Sequence, residues 1–148
     1  MATRVRSVFL SDVHLGNPGC QAGLLLDFLR AHDAGQIFLV GDIVDFEYLE
    51  QSFYWAAGHS EVVRHLLGAA RRGTEVIYVP GNHDGRLRAF CGRRIGAIRV
   101  ERFHIHTTAA GLRYLLLHGD EFDGLLGGGG RLARVGAFAY RNAIRLNT

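Results

Sequence analysis

Ile37-Phe38-Leu39-Val40-Gly41-Asp42-Ile43-Val44-Asp45 is the stretch on which the reading of this 148-residue chain turns. An apolar run of strand length drives into Gly-Asp, and a second carboxylate follows three residues on. Glycine lets the backbone turn sharply as the strand ends. Asp42 then projects from the carboxyl end of a buried strand, where open α/β sheets place their ligands. Two other apolar runs end in the same way. Residues 5–10 lead into Ser11-Asp12-Val13-His14, and residues 76–80 lead into Gly81-Asn82-His83-Asp84. Three strands delivering Asp, His and Asn to one rim make the pattern of a metal site.

The segments between these strands read as helices. Residues 21–32 carry Leu24, Leu25, Phe28 and Leu29 at helical spacing. Asp33-Ala34-Gly35 is expected to stop that helix before a strand over 36–40. Residues 60–72 form the second helix, with Ser60 as its N-cap, an apolar face of Val62, Val63, Leu66 and Leu67, and Arg71-Arg72-Gly73 closing it. Two strand–helix–strand units at this spacing predict parallel strands. Residues 46–58 hold Phe46, Tyr48, Phe53, Tyr54 and Trp55, which suit either a substrate wall or a satellite core under a loop. Residues 98–107 and 112–117 flank Ala109-Ala110-Gly111 and predict a hairpin whose second arm ends in His118-Gly119-Asp120. The core is expected to span residues 1–125. A four-glycine joint at 127–130 then leads to a basic amphipathic tail, in which Arg131, Arg134, Arg141 and Arg145 fall within an arc of roughly 80°.

With 48% hydrophobic and 21% charged residues, the chain has the composition of an ordinary globular domain. All 17 basic residues are arginine, giving a net charge of +3. Arginine suits phosphate and carboxylate recognition, although high-GC coding produces the same bias. Cys20 and Cys91 form no metal-type pair, which fits a reducing compartment. No apolar stretch approaches the roughly 18 residues of a spanning helix. A cytoplasmic protein is expected, with the arginine-striped tail able to touch the anionic inner face of the membrane.

The candidate ligands are Asp12, His14, Asp42, Asn82 and His118. Carboxylate, amide and imidazole without thiolate suit Mn²⁺, Mg²⁺, Fe²⁺ or a catalytic Zn²⁺ better than a structural zinc. A carboxylate can bridge two such ions about 3.5–4 Å apart, a spacing that clamps both entering and leaving oxygens of a phosphoryl displacement. Asp-x-His alone is a common turn pattern, and so is Gly-Asp-x-x-Asp. In order, each closing a strand and followed by His-Gly-Asp, they rarely coincide by chance.

Asp12-Val13-His14, Gly41-Asp42-Ile43-Val44-Asp45, Gly81-Asn82-His83-Asp84 and His118-Gly119 resemble the signature blocks of calcineurin-like metallophosphoesterases. The wording around them, Leu10-Ser11-Asp12-Val13-His14-Leu15-Gly16 and Leu117-His118-Gly119-Asp120-Glu121-Phe122-Asp123 in particular, is most similar to the UDP-2,3-diacylglucosamine diphosphatase group of lipid A synthesis. The resemblance implies an α/β fold, an αββα sandwich of mixed sheets, and two divalent metal ions, Mn²⁺ first among them. It implies that Asp12, His14 and Asp42 hold one metal while Asp42, Asn82 and His118 hold the other, with Asp42 as the bridge. His83 would act at the leaving group, and Asp45 and Asp84 would orient histidines. The implied substrate is a UDP-linked diacylated sugar, cleaved at its pyrophosphate to UMP and a lipid phosphate; nucleic acid is not expected as a partner.

One departure stands beside the match. The family's downstream Gly-His-x-His block does not occur before Thr148, and His104-Ile105-His106 precedes the His-Gly-Asp block, so it is out of order. The expectation is therefore a chain covering the first half to two-thirds of such an enzyme, with an incomplete second sheet and exposed apolar surface. The alternatives are a related phosphodiesterase or phosphatase of other substrate, and an inactive remnant. His32 and His59 read as surface or capping residues, and His65 as a helix-face residue.

Overall fold

The structure, a computed structural model, describes residues 2–122. The arginine-striped tail and the glycine joint lie outside the described residues, as does the expected boundary near residue 125.

Five strands form the main sheet. β1 (Thr3–Leu10), β2 (His32–Val40) and β3 (Glu75–Val79) run parallel, in the order the crossovers predict. β5 (Ile98–Val100) adds parallel to β3, and β4 (Arg93–Ile95) closes the edge antiparallel to β5, for an order β1-β2-β3-β5-β4. β6 (His104–Thr107) and β7 (Arg113–Leu116) make a separate two-stranded sheet. The fold is thus the expected mixed α/β arrangement with a small second sheet.

The near-continuous apolar runs of β2 and β3 follow from burial on both faces. Ile37, Leu39, Val76 and Tyr78 point to a helical layer of α1 (Ala22–Ala31) and α3 (Ala57–Arg71), where Leu26, Leu29, Val62 and Leu66 meet them. Phe38, Ile77 and Val79 point the other way and pack with Val40 and Leu116. Phe38 is also stacked on Phe9 at 4.9 Å and touches the rings of His104 and His106 at 5.3 and 5.0 Å. His104 and His106 do share one strand face, as their spacing predicts, and that face packs on aromatics. The hairpin's opposite face leaves Ile105 and Leu115 exposed, which matches the expected apolar surface.

Several local expectations are corrected. Asp33-Ala34-Gly35 does not form a stop: these residues are already strand, with Asp33 and Ala34 paired to Arg4 and Val5 of β1. A long neighbouring strand overrides weak local propensity. Ser60 is not an N-cap, because α3 begins a turn earlier on Ala56, and the Ser60 hydroxyl instead accepts from the Trp55 indole at 2.9 Å. Residues 98–107 are not one hairpin arm; they divide between β5 and β6, in different sheets. Residues 46–51 form a short helix, α2 (Phe46–Gln51), capped by the Asp45 side chain. His59 is neither surface nor cap: it is buried on the α3 stripe with Val62, Leu66 and Ala69.

Candidate metal centre

The turns after β1 and β2 run side by side at the carboxyl ends of the parallel strands. Asp12, His14 and Leu15 donate their N–H groups to the carbonyls of Gly41, Asp42 and Ile43 at 3.1, 2.9 and 2.8 Å, and Asp45 returns a bond to Leu15 at 2.8 Å. This ladder sets the side chains of both turns in register. Asp12, His14 and Asp42 all adopt left-handed φ values of 54°, 54° and 55°. Non-glycine residues pay about 1–2 kcal/mol for that region, and such outliers concentrate where function demands them. Here the three outliers are three of the five ligand candidates.

Among the described residues, two groups of ligating atoms result. Asp12, Asp42 and His118 converge, with His118 Nε2 at 3.7 Å from Asp12 Oδ1 and 3.6 Å from Asp42 Oδ2. These separations are longer than hydrogen bonds. They suit donors around a shared ion, since ligands about 2.1 Å from one centre stand some 3–4 Å apart. The second group is His14, Asp45 and His83. The structure therefore joins His118 to Asp12 as well as to Asp42, and sets His14 beside His83, their rings edge to face at 4.8 Å. Asn82 stands exposed on the turn between Gly81 and His83, its backbone carbonyl accepting from Gly85 N–H at 3.2 Å.

Two glycines make room for this convergence. A Cβ at Gly41, whose φ is +75°, would overlap the His118 ring, and one at Gly81 would overlap Asp42 and lie 2.8 Å from His118 Nδ1. Only bare backbone admits the imidazole and carboxylate side by side. That cradle, together with an all-oxygen-and-imidazole donor set, fits a hard or borderline divalent cation.

Asp45 is buried and uses both of its oxygens twice. Oδ1 accepts from Tyr48 N–H at 2.9 Å and His83 Nδ1 at 2.8 Å; Oδ2 accepts from His14 Nδ1 at 3.1 Å and Asn17 Nδ2 at 3.2 Å. Both histidines therefore carry their proton on Nδ1, which leaves Nε2 of His14 as the nitrogen able to bind a metal. Burial raises the Asp45 pKa, but the bonds from Tyr48, His83 and Asn17 outweigh it and hold the carboxyl at about 2. The same Asp45 bond raises the His83 pKa above its ordinary value, against a smaller opposing effect of burial. Asp45 thus orients histidines, two of them.

Asp84 does not. Its fully buried carboxylate accepts from Ile43 N–H at 2.8 Å, Gly81 N–H at 2.6 Å and the Tyr78 hydroxyl at 2.5 Å. It bolts the turn after β3 to the turn after β2, because its side chain points inward beneath them. Burial, with Asp84 adjacent, pushes the Tyr78 phenol well above its usual pKa and keeps it a donor. The sequence signal for Asp84 was its place in the motif; for Asn17 and Tyr78 there was none.

A cleft of about 480 Å³ opens beside the second group, lined by Asp12, His14, Asp45 and His83 and by Val13, Cys20 and Leu25. A larger hollow of about 1070 Å³ at the amino-terminal ends of β1 and β2 contains none of the candidate ligands. No helix among the described residues is long and apolar enough to cross a membrane.

The chain is 28% identical over 125 residues to the UDP-2,3-diacylglucosamine hydrolase of Porphyromonas gingivalis (strain ATCC BAA-308 / W83), an alignment covering 80% of this chain and 47% of that protein. The chain thus spans about half the length of this curated relative. Among solved structures, the Pseudomonas putida nuclease MPE aligns at a TM-score of 0.38 and 19% identity over 64% of this chain and 46% of that one, a likeness too loose to inform the site. The family model for calcineurin-like phosphoesterases matches residues 5–134. With its matched span taking in every turn that carries a candidate ligand, the chain belongs to the calcineurin-like phosphoesterase family.

Proposed function

We propose that this chain hydrolyses a phosphoric ester or pyrophosphate bond with two divalent metal ions, and that the bond lies in a UDP-linked diacylated sugar. The convergence of Asp12, Asp42 and His118, with His118 Nε2 3.7 and 3.6 Å from the two carboxylates, carries the metal-dependent part of this reading. The substrate rests on the UDP-2,3-diacylglucosamine hydrolase relative. Asp12, Asp42 and His118 would hold one ion; His14 Nε2 and Asn82 would be further donors on the same rim. Divalent ions there polarise phosphoryl oxygens and lower the pKa of water; Mn²⁺ suits this donor set, and Fe²⁺, Mg²⁺ and Zn²⁺ are compatible with it.

The chain's own groups do the rest. Asp45 keeps the His83 ring fixed and raises its proton affinity above the ordinary histidine value, which favours His83 as the proton donor. On the cleft wall it stabilises charge on the phosphoryl oxygens and gives a proton to the departing phosphate. Water adds to one phosphorus, the bridging P–O bond breaks, and UMP leaves with the lipid phosphate as co-product. Val13, Cys20 and Leu25 supply an apolar wall beside the polar floor.

The test is Mn²⁺ titration calorimetry on the metal-free chain, with UMP release from the diacylated UDP-sugar measured against cleavage of a simple phosphodiester. Mn²⁺ uptake and UMP release are expected, and Asp42→Ala removes both. Diester cleavage without UMP release reassigns the substrate. Neither uptake nor cleavage sinks the reading.

A further inference from the structure

His59 belongs to neither group of ligating atoms, yet it is only 2% exposed. It sits in the first turn of α3, and its Nδ1 accepts the Gly16 N–H at 3.1 Å. A backbone N–H can only donate, so Nδ1 is bare and the ring proton lies on Nε2. Tyr54 and Trp55 meet the ring edge to face at 5.7 and 5.3 Å, and Trp55 is itself held by its bond to Ser60 Oγ. The aromatic segment after α2 thus clasps a histidine rather than forming a wall at these two positions. Burial pushes the His59 pKa down, which keeps Nδ1 bare at neutral pH.

Gly16 lies two residues beyond His14. Its φ is +103°, and a side chain there would meet Leu49 Cγ of α2 at 2.8 Å. Gly16 is therefore pressed between α2 on one side and the His59 ring on the other. The bonds from Asp12, His14 and Leu15 tie the first ligand turn to the second turn, within the sheet layer. The His59 bond ties it to the helical layer, where Val62 and Leu66 of the same helix are buried in the core. A turn holding two residues in the left-handed region persists only when its surroundings over-determine it.

We propose that His59 is a positioning residue of the metal centre: its Nδ1 bond to Gly16 holds the Asp12–His14 turn in the conformation that presents both side chains to the ion. The role rests on the metal-dependent reading above. It is an acceptor's role, distinct from filling space, and two variants separate these. His59→Phe keeps the ring volume and removes the acceptor. His59→Asn loses volume but places Oδ1 close to the position of Nδ1.

The experiment is Mn²⁺ calorimetry on the metal-free full chain and both variants, with thermal unfolding recorded in the same buffer. His59→Phe is expected to bind Mn²⁺ about tenfold more weakly, and His59→Asn within about threefold of wild type although it melts lower. The reverse order, or two variants that both bind as wild type does, overturns the proposal. If His59→Phe fails to fold, ¹⁵N NMR of the wild type decides: the Nε2–H tautomer of His59 and a slowly exchanging Gly16 amide are expected, and an Nδ1–H tautomer overturns it. A wild type showing the Nε2–H tautomer but no Mn²⁺ uptake sinks the metal-dependent reading, and this role with it, while leaving the hydrogen bond intact.

Discussion

Asp45, 2% exposed, accepts four hydrogen bonds and has a carboxyl pKa near 2 against an ordinary 3.8. A carboxyl depressed by folding contributes stability above its unfolded pKa and loses it as pH falls toward the folded value. Here that amounts to about 2 kcal/mol, lost between about pH 4 and 2. His83 is shifted the opposite way, so its contribution is complete below the ordinary histidine value of 6.5 and fades as pH rises through its folded pKa. The pair is thus strongest between about pH 4 and 6.5. Urea unfolding measured across this range should show a plateau there in the wild type, and Asp45→Asn should flatten the acid limb. Asp84 offers a second test at this scale. Three donors converge on its buried oxygens, and an amide in their place turns one donor against another. Asp84→Asn is expected to cost about 2–3 kcal/mol in denaturant unfolding, and Tyr78→Phe about 1 kcal/mol.

At the scale of elements, the strand ends matter more than the strands. β2 and β3 were legible because buried parallel strands read as apolar runs with polar terminators standing out against them, and β1, a mostly exposed edge strand, because Val8-Phe9-Leu10 runs into the same kind of terminator. The turns that follow depend on glycine for a reason visible only in three dimensions: His118 arrives from a later part of the chain and lies against Gly41 and Gly81. Gly81→Ala should therefore displace His118 and Asp42 together, with destabilisation of about 1–3 kcal/mol and loss of Mn²⁺ uptake. Gly23→Ala is the control, since a Cβ there meets nothing within 4 Å; Mn²⁺ calorimetry on the two variants distinguishes them. The start of α3 was misplaced because Ser60 is a good capping residue by type, but its hydroxyl is engaged by Trp55. Residues 98–107 read as one arm because the residues between β5 and β6 carry no strong breaker, although the chain changes sheet there.

For the whole molecule, Phe38 joins the layers. It is fully buried at the centre of the smaller core and touches Phe9 on the neighbouring strand β1 and His104 and His106 on β6. Phe38→Ala is expected to cost about 3–5 kcal/mol. It should also release the β6–β7 hairpin, seen as lost hydrogen-exchange protection from His104 to Leu116, while α1 and α3 keep theirs. Equal loss in the helices would mean that the hairpin and the helical layer unfold as one unit.

Sequence alone determined the parallel core, the rim at its carboxyl ends and the residue types gathered there. Strand burial and sharp turns leave their marks within about ten residues of chain, and the ligand motifs sit inside those marks. Tertiary structure decided how the ligands are shared. It brought His118 to Asp12 and Asp42, gave Asp45 two histidines, sent Asp84 inward to backbone amides, and buried His59 beneath Gly16. Each of these contacts, apart from the Asp84–Gly81 bond, joins residues more than thirty positions apart. Which side chain meets which is then fixed by packing of the layers, a quantity no local pattern carries.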